Sequence, residues 1–260
     1  MRMKARFTAR TWTRTAGVAL LPALLLAATG CGGAADGPGT APDAKAPASP
    51  RATPPPAGSA APPAPASPKS AASKLERSAL EQGDLDGYQI SAQGKNPNAP
   101  SGQPQADRKA CQPLADVMGD KPDPAAKETV NRGVGSQKQV GLAISASVSA
   151  YAEADAEHLM DRLRDAVAEC GTGFTATVQK QTGSYRDVKP LAYKTGGDEN
   201  VSWTTTATAA GVSAQVHLVV VRQGATVVRL MALNVADAAK KAQVPQEVAD
   251  KQLEKIRKAD

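Results

Sequence analysis

The chain is 260 residues long, with 31 basic and 25 acidic side chains and a formal net charge of +6. Arg2, Lys4, Arg6, Arg10 and Arg14 supply five of those positive charges, so the remainder is almost balanced and lacks the overall basic footprint that nucleic-acid binding needs. Aromatic residues make up 3% of the composition, too few for a surface that stacks bases or sugars.

The basic start is followed by an apolar run, AGVALLPALLLAA, over residues 16–28. A spanning helix needs roughly 20 apolar residues, and Pro22 interrupts this shorter one. Basic n-region, apolar h-region and small residues at the end fit a secretory signal. The run closes on Ala28-Thr29-Gly30-Cys31, which resembles a bacterial lipobox. On this reading residues 1–30 are a lipoprotein signal peptide. Cys31 then carries lipid (diacylglyceryl, with palmitate-type chains), and the protein is membrane-anchored on the extracytoplasmic face. The alternative is an ordinary signal peptide cut elsewhere, with Cys31 incidental. No Arg-Arg pair marks twin-arginine export.

Residues 31–73 read as a disordered Pro/Ala-rich tether. Eleven of the twenty prolines lie in 34–72, where Ala is the one apolar residue type present. Fully extended, such a tether reaches on the order of 120 Å; as a loose coil it spans about 35 Å.

From residue 74 onward the composition turns to that of one ordinary domain, 74–260. Residues 94–105, GKNPNAPSGQPQ, read as a surface loop, and a second loose patch spans 119–124 after a short helix carrying Cys111. The run 139–151 alternates, with Val140, Leu142, Ile144, Ala146 and Val148 on one face and Ser145, Ser147 and Ser149 on the other, which predicts a half-buried strand. A helical period follows through Ala156, Leu159, Met160, Leu163, Val167 and Cys170, stopped by Gly171. Strands are predicted near 174–178, 188–193, 199–209, 212–222 and 225–233. Short turns at Ala210-Gly211 and Gln223-Gly224 make the last three antiparallel. A helix is predicted near 235–243 and another after Pro245, with Ala249, Leu253 and Ile256 on one face. The fold class is α+β: an antiparallel β-sheet with packed helices.

With Cys31 committed to lipid, Cys111 and Cys170 remain, and an even count outside the cytosol makes one disulfide the default. The alternative is a buried pair of free thiols. Other chemistry is weakly signalled. His158 on the amphipathic helix and His217 in mid-strand lack a metal-ligating or triad partner at recognised spacing. Gly171-Thr172-Gly173-Phe174-Thr175-Ala176 matches a loose dinucleotide fingerprint, but it follows a helix and opens a strand, the reverse of the required order. Asp84-Leu85-Asp86-Gly87 resembles a calcium loop without its remaining ligands. Trp203 and Tyr88 read as core or cleft residues, and Arg222 and Arg229 as either cleft or surface. No catalytic residue, metal or cofactor is expected.

Several short motifs occur in a fixed order. They are Ser78-Ala79-Leu80 with Asp84-Leu85-Asp86-Gly87-Tyr88, Ala110-Cys111-Gln112-Pro113-Leu114, Ala168-Glu169-Cys170, Gly197-Asp198-Glu199, the Trp203 strand, and Val219-Val220-Val221-Arg222-Gln223-Gly224. Together, over roughly 75–245, they resemble the extracellular sensor domain of PknH-type actinobacterial serine/threonine kinases and the free-standing lipoproteins that share it. The resemblance implies a sheet with packed helices around a cleft for an extracellular ligand. No kinase domain is present, so phosphorylation signalling is not carried over. One possible disulfide stands where the kinase sensor has two.

The expected function is a non-catalytic sensor or ligand-binding lipoprotein, monomeric, with the membrane (through Cys31) and a small-molecule or envelope ligand as partners. The ligand residues are not readable. A lipid or apolar-molecule carrier is one alternative, favoured by small residues at Ala143, Ser145, Ala207, Ala209 and Ala214. A cell-envelope enzyme built around His217 or an acid pair is another.

Overall fold

A computed structural model describes residues 73–93 and 102–259. The leader, Cys31 and the tether lie outside the described residues, as does most of the loop expected at 94–105. In chain order the elements begin with α1 (Lys74–Ser78), β1 (Tyr88–Gln93), β2 (Gln105–Ala106) and α2 (Gln112–Met118). They continue with β3 (Glu128–Ser136), β4 (Leu142–Ala150), α3 (Glu153–Glu169), β5 (Phe174–Val178) and β6 (Gln181–Pro190). The chain ends in β7 (Glu199–Ala209), β8 (Val212–Gln223), β9 (Thr226–Asn234) and α4 (Gln246–Ala259).

The strands form one nine-stranded sheet in the order β1-β3-β4-β9-β8-β7-β6-β5-β2, and every pair is antiparallel. Tight turns set the register. Ala210 and Gly211 both have positive φ (49° and 80°), the pair of conformations that matches strand twist in a two-residue hairpin. The β8–β9 turn uses Gly224-Ala225, since Gln223 already pairs with Thr226. The α+β class and the antiparallel sheet are as the sequence implied.

Alternation sends side chains to two cores. On one face Leu142, Ile144, Val148, Val219, Val221 and Leu230 pack under α1 and α4. On the other, Trp203, Leu218 and Val220 pack against Leu114 of α2 and Leu159 and Leu163 of α3. Trp203 and Tyr88 are both buried core residues. Cys111 closes a 3-10 turn before α2, Cys170 caps α3, and the two form the disulfide with Cα atoms 5.8 Å apart.

Four local expectations are corrected. The strand near 139–151 starts at Leu142, and Val140 is 79% exposed. No helix forms at 235–243: Asn234 Oδ1 accepts the N–H groups of Ala236 and Asp237, and Asp237 Oδ1 accepts that of Ala239. Such side-chain turns compete with helix formation. The resulting strap buries Ala242 and Val244 against the α1/α4 face. The strand near 188–193 is instead the end of β6, which closes at Pro190 after a bulge with Asp187 at φ 55°. Gln105, expected in a loop, pairs with Thr177 in β2.

Candidate functional site

The two edges of the sheet's α2/α3 face differ. Helix α3 lies across β6 to β9, whereas the residues of β1, β3 and β4 on this face are open in graded fashion. Cross-strand rows read Gln89–Gly135–Ala143–Leu233, Ser91–Gly133–Ser145–Met231 and Gln93–Asn131–Ser147–Arg229. Gln89, Ser91 and Gln93 are exposed, the β3 members are half-buried, and Ser147 and Arg229 are buried. The result is a trough whose residues become more buried from the sheet edge toward β9, with a cavity of about 630 Å³ over its outer end and a separate small cavity beside Arg229. Its floor is uncharged and polar there. A Cβ at Gly135 would meet nothing within 4 Å, so that position presents open backbone, whereas the Gln93 amide lies across Gly133.

At the rim, β1 is an edge strand, with outward backbone groups that invite pairing. The Gln82 side chain answers them: its Oε1 accepts the Ile90 N–H at 2.8 Å and its Nε2 donates to the Tyr88 carbonyl at 3.4 Å. A side-chain amide here takes the place of a neighbouring peptide group.

The inner end of the trough is built around Arg229. Nη1 donates to the Val117 carbonyl and Nη2 to Ser147 Oγ, each at 2.7 Å. Ser147 in turn donates to Asn131 Oδ1 at 2.7 Å, and Thr129 and Ser149 hydroxyls pair at 2.9 Å. The counter-ion is Asp120, with Oδ1 3.0 Å from Nη2. The buried Nε has no partner. Burial pushes the guanidinium pKa down, opposed by Asp120 and by Tyr151. Tyr151 lines the small cavity beside Arg229, and burial raises its phenol to about 12, although Arg229 pulls it the other way.

Asp120 is placed by the way α2 ends. The Asp120 N–H bonds to the Val117 carbonyl and the Lys121 N–H to the Asp116 carbonyl, the paired bonds of a Schellman cap whose left-handed position usually holds Gly. Here Asp120 takes it at φ 59°. A left-handed backbone costs a residue with a Cβ roughly 1–2 kcal/mol, and what the side chain gains is the guanidinium. Behind it, the Asp116 carboxyl is pushed up by burial, opposed by hydrogen bonds from Gln112 and Gln103.

The residues singled out from sequence fall elsewhere. His217 lies on the opposite face, where Nδ1 accepts the Val244 N–H and Nε2 faces Ser202 Oγ, each at 2.9 Å. Burial lowers its pKa to about 4, so the ring is neutral and fastens the strap to the sheet. His158 is an exposed α3 residue. Asp84 accepts the Glu81 N–H and Lys255 Nζ, which makes it a turn residue. Burial pushes its carboxyl up, but these partners outweigh it and the net shift is downward. Among the described residues, no three His, Cys, Asp or Glu side chains gather as a metal site. Arg222 is tied to Glu199, Asp198 and Glu157 and clamps β7 and β8 to α3. Of the two arginines left open by the sequence, Arg229 is the one at the trough. The sequence reading did not pick out Asp120, Gln82, Gly133 or Gly135; an acid directly after the Met118-Gly119 helix end was the one local signal.

No protein-family profile matches the sequence, and no curated protein matches it. Among solved structures, the chain is similar to the extracellular domain of PknH from Mycobacterium tuberculosis, at 13% identity and a TM-score of 0.44, covering 72% of this chain and 94% of that one. It is also similar to an uncharacterised protein from Mycobacterium smegmatis, at 12% identity and a TM-score of 0.37, covering 67% and 90%. Both are distant likenesses of fold.

Proposed function

We propose that this chain is a non-catalytic binding module of the cell envelope, held at the extracytoplasmic face by lipid on Cys31 and a tether over 31–73, with its ligand received in the trough on β1, β3 and β4. The observation that carries this is the trough itself: a wide concavity of about 630 Å³ with an uncharged polar floor and one buried cation at its inner end. Binding sites combine a concave surface with a few convergent polar groups in this way. Both histidines are accounted for outside it, which favours binding over an envelope enzyme.

The carrier reading has one observation in its favour. A separate groove of about 490 Å³ is lined by Pro104, Ala115, Ala176, Val178, Tyr185 and Ala209. It is open along one side, so an apolar chain lying there would stay half wet, and the polar trough is the stronger site.

Native mass spectrometry of the full chain, purified from the organism that encodes it, tests the reading. The wild type should carry a co-purifying small molecule that Gly135→Trp lacks, since the new ring projects into open trough. Identical adducts in both proteins, or none in the wild type, would refute trough binding. The same spectra read the mass at Cys31.

A further inference from the structure

We propose that Arg229 receives a carboxylate group of the ligand, and that the Asp120 carboxylate is a stand-in that holds the place until the ligand arrives. This rests on the trough being the ligand site and adds the chemical class bound at its inner end. Nε and Nη2 form one edge of a guanidinium, and their two N–H groups match the two oxygens of a carboxylate. Asp120 reaches Nη2 alone, which also donates to Ser147 Oγ, and does not reach Nε. The neighbouring Nε–H is buried without an acceptor, a costly state for a donor. The internal ion pair therefore leaves half of a two-point site unfilled.

The placement of Asp120 supports an exchangeable role. Its side chain is 54% exposed, while that of Arg229 is 11% exposed. The acid thus approaches the buried cation from the solvent side and can swing back into water. It occupies the left-handed cap position that glycine suits best, so backbone geometry does not explain its presence. The free space beside the guanidinium, walled by Pro122, Ser149 and Tyr151, is about 20 Å³, enough for one water-sized group. A second carboxylate fits only when that of Asp120 withdraws, which makes the two occupants mutually exclusive.

Asp120→Gly provides the test, because it removes the stand-in while relaxing the left-handed backbone. Acetate is titrated into the full-length wild type and Asp120→Gly at constant ionic strength, with chloride as control. The readouts are the thermal midpoint and the Arg229 Nε–H resonance. Acetate should saturate Asp120→Gly at a concentration at least ten-fold lower than the wild type, raise its midpoint and shift the Nε–H resonance. Adding Arg229→Gln should abolish the effect. No response beyond chloride in Asp120→Gly, or equal acetate affinity in the two proteins, would overturn the proposal. Gly135→Trp fills only the outer trough, so it should leave acetate binding in the Asp120→Gly background intact. Loss of ligand capture and loss of the carboxylate site are therefore read separately.

Discussion

Acidification should loosen this fold earlier than its carboxylates alone would dictate, and His217 is the reason. The ring is 1% exposed and neutral, with Nδ1 accepting from Val244. Its pKa is about 4 in the folded protein against an ordinary value of 6.5. Between those values the unfolded chain binds a proton that the folded one refuses, so unfolding stability falls as pH falls. Integrating that linkage from pH 7 to pH 5 gives a loss of about 2 kcal/mol, approaching about 3 kcal/mol near pH 4. The carboxyls of Asp84, Asp107, Glu247 and Glu254 are held below their ordinary values, so their contribution is lost at lower pH. Asp116 works in the opposite sense, because its raised pKa favours proton uptake by the folded state. Urea titrations at steps between pH 7 and pH 4.5 measure the slope. His217→Gln keeps an acceptor for the Val244 N–H and cannot be protonated. It should be less stable at pH 7 yet nearly flat through this window. Parallel slopes in wild type and variant would refute the reasoning.

Reduction of Cys111–Cys170, or the double substitution to Ser, should cost about 4 kcal/mol by loop-closure entropy over a separation of 59 residues; thermal melts with and without reductant measure it. Gln82→Ala should uncover the outer groups of Tyr88 and Ile90 on an edge strand. Concentration-dependent self-association, read by analytical ultracentrifugation, is the expected outcome, and a strictly monomeric variant would show that Gln82 does not guard the edge.

The long periodic segments could be read from sequence because burial there is one-sided and regular. In α3 the buried positions Ala156, Leu159, Met160, Leu163 and Val167 repeat at helical spacing. In β8 and β9 the apolar runs 218–221 and 227–233, broken only by Arg229, match a sheet covered on both faces. What escaped was set by partners distant in sequence. Glu128–Ser136 carries two glycines and several polar residues; it is a strand because β1 and β4 pair with it from either side. Ser147 and Ser149 looked solvent-facing by alternation, yet they are buried by the polar cluster around Arg229. The site was hidden for the same reason. Arg229 and Asp120 are brought together by the register of β4 on β9 and by the cap of α2, and neither leaves a local pattern. The cysteine pairing, by contrast, followed once Cys31 was set aside as the expected lipid site.

The described fold begins beside its own end. Leu80 donates its N–H to Gln252 Oε1, and Gln252 Nε2 donates to the Ser78 carbonyl, so α1 is latched onto α4. Both helices lie on the sheet face opposite Arg229. Traction applied to the chain ahead of Ser73 would be shared between this latch and β3, where Ser73 donates to Glu128 and Arg132 holds both Glu76 and the Leu80 carbonyl, so a pull on the domain's start reaches a strand that floors the trough.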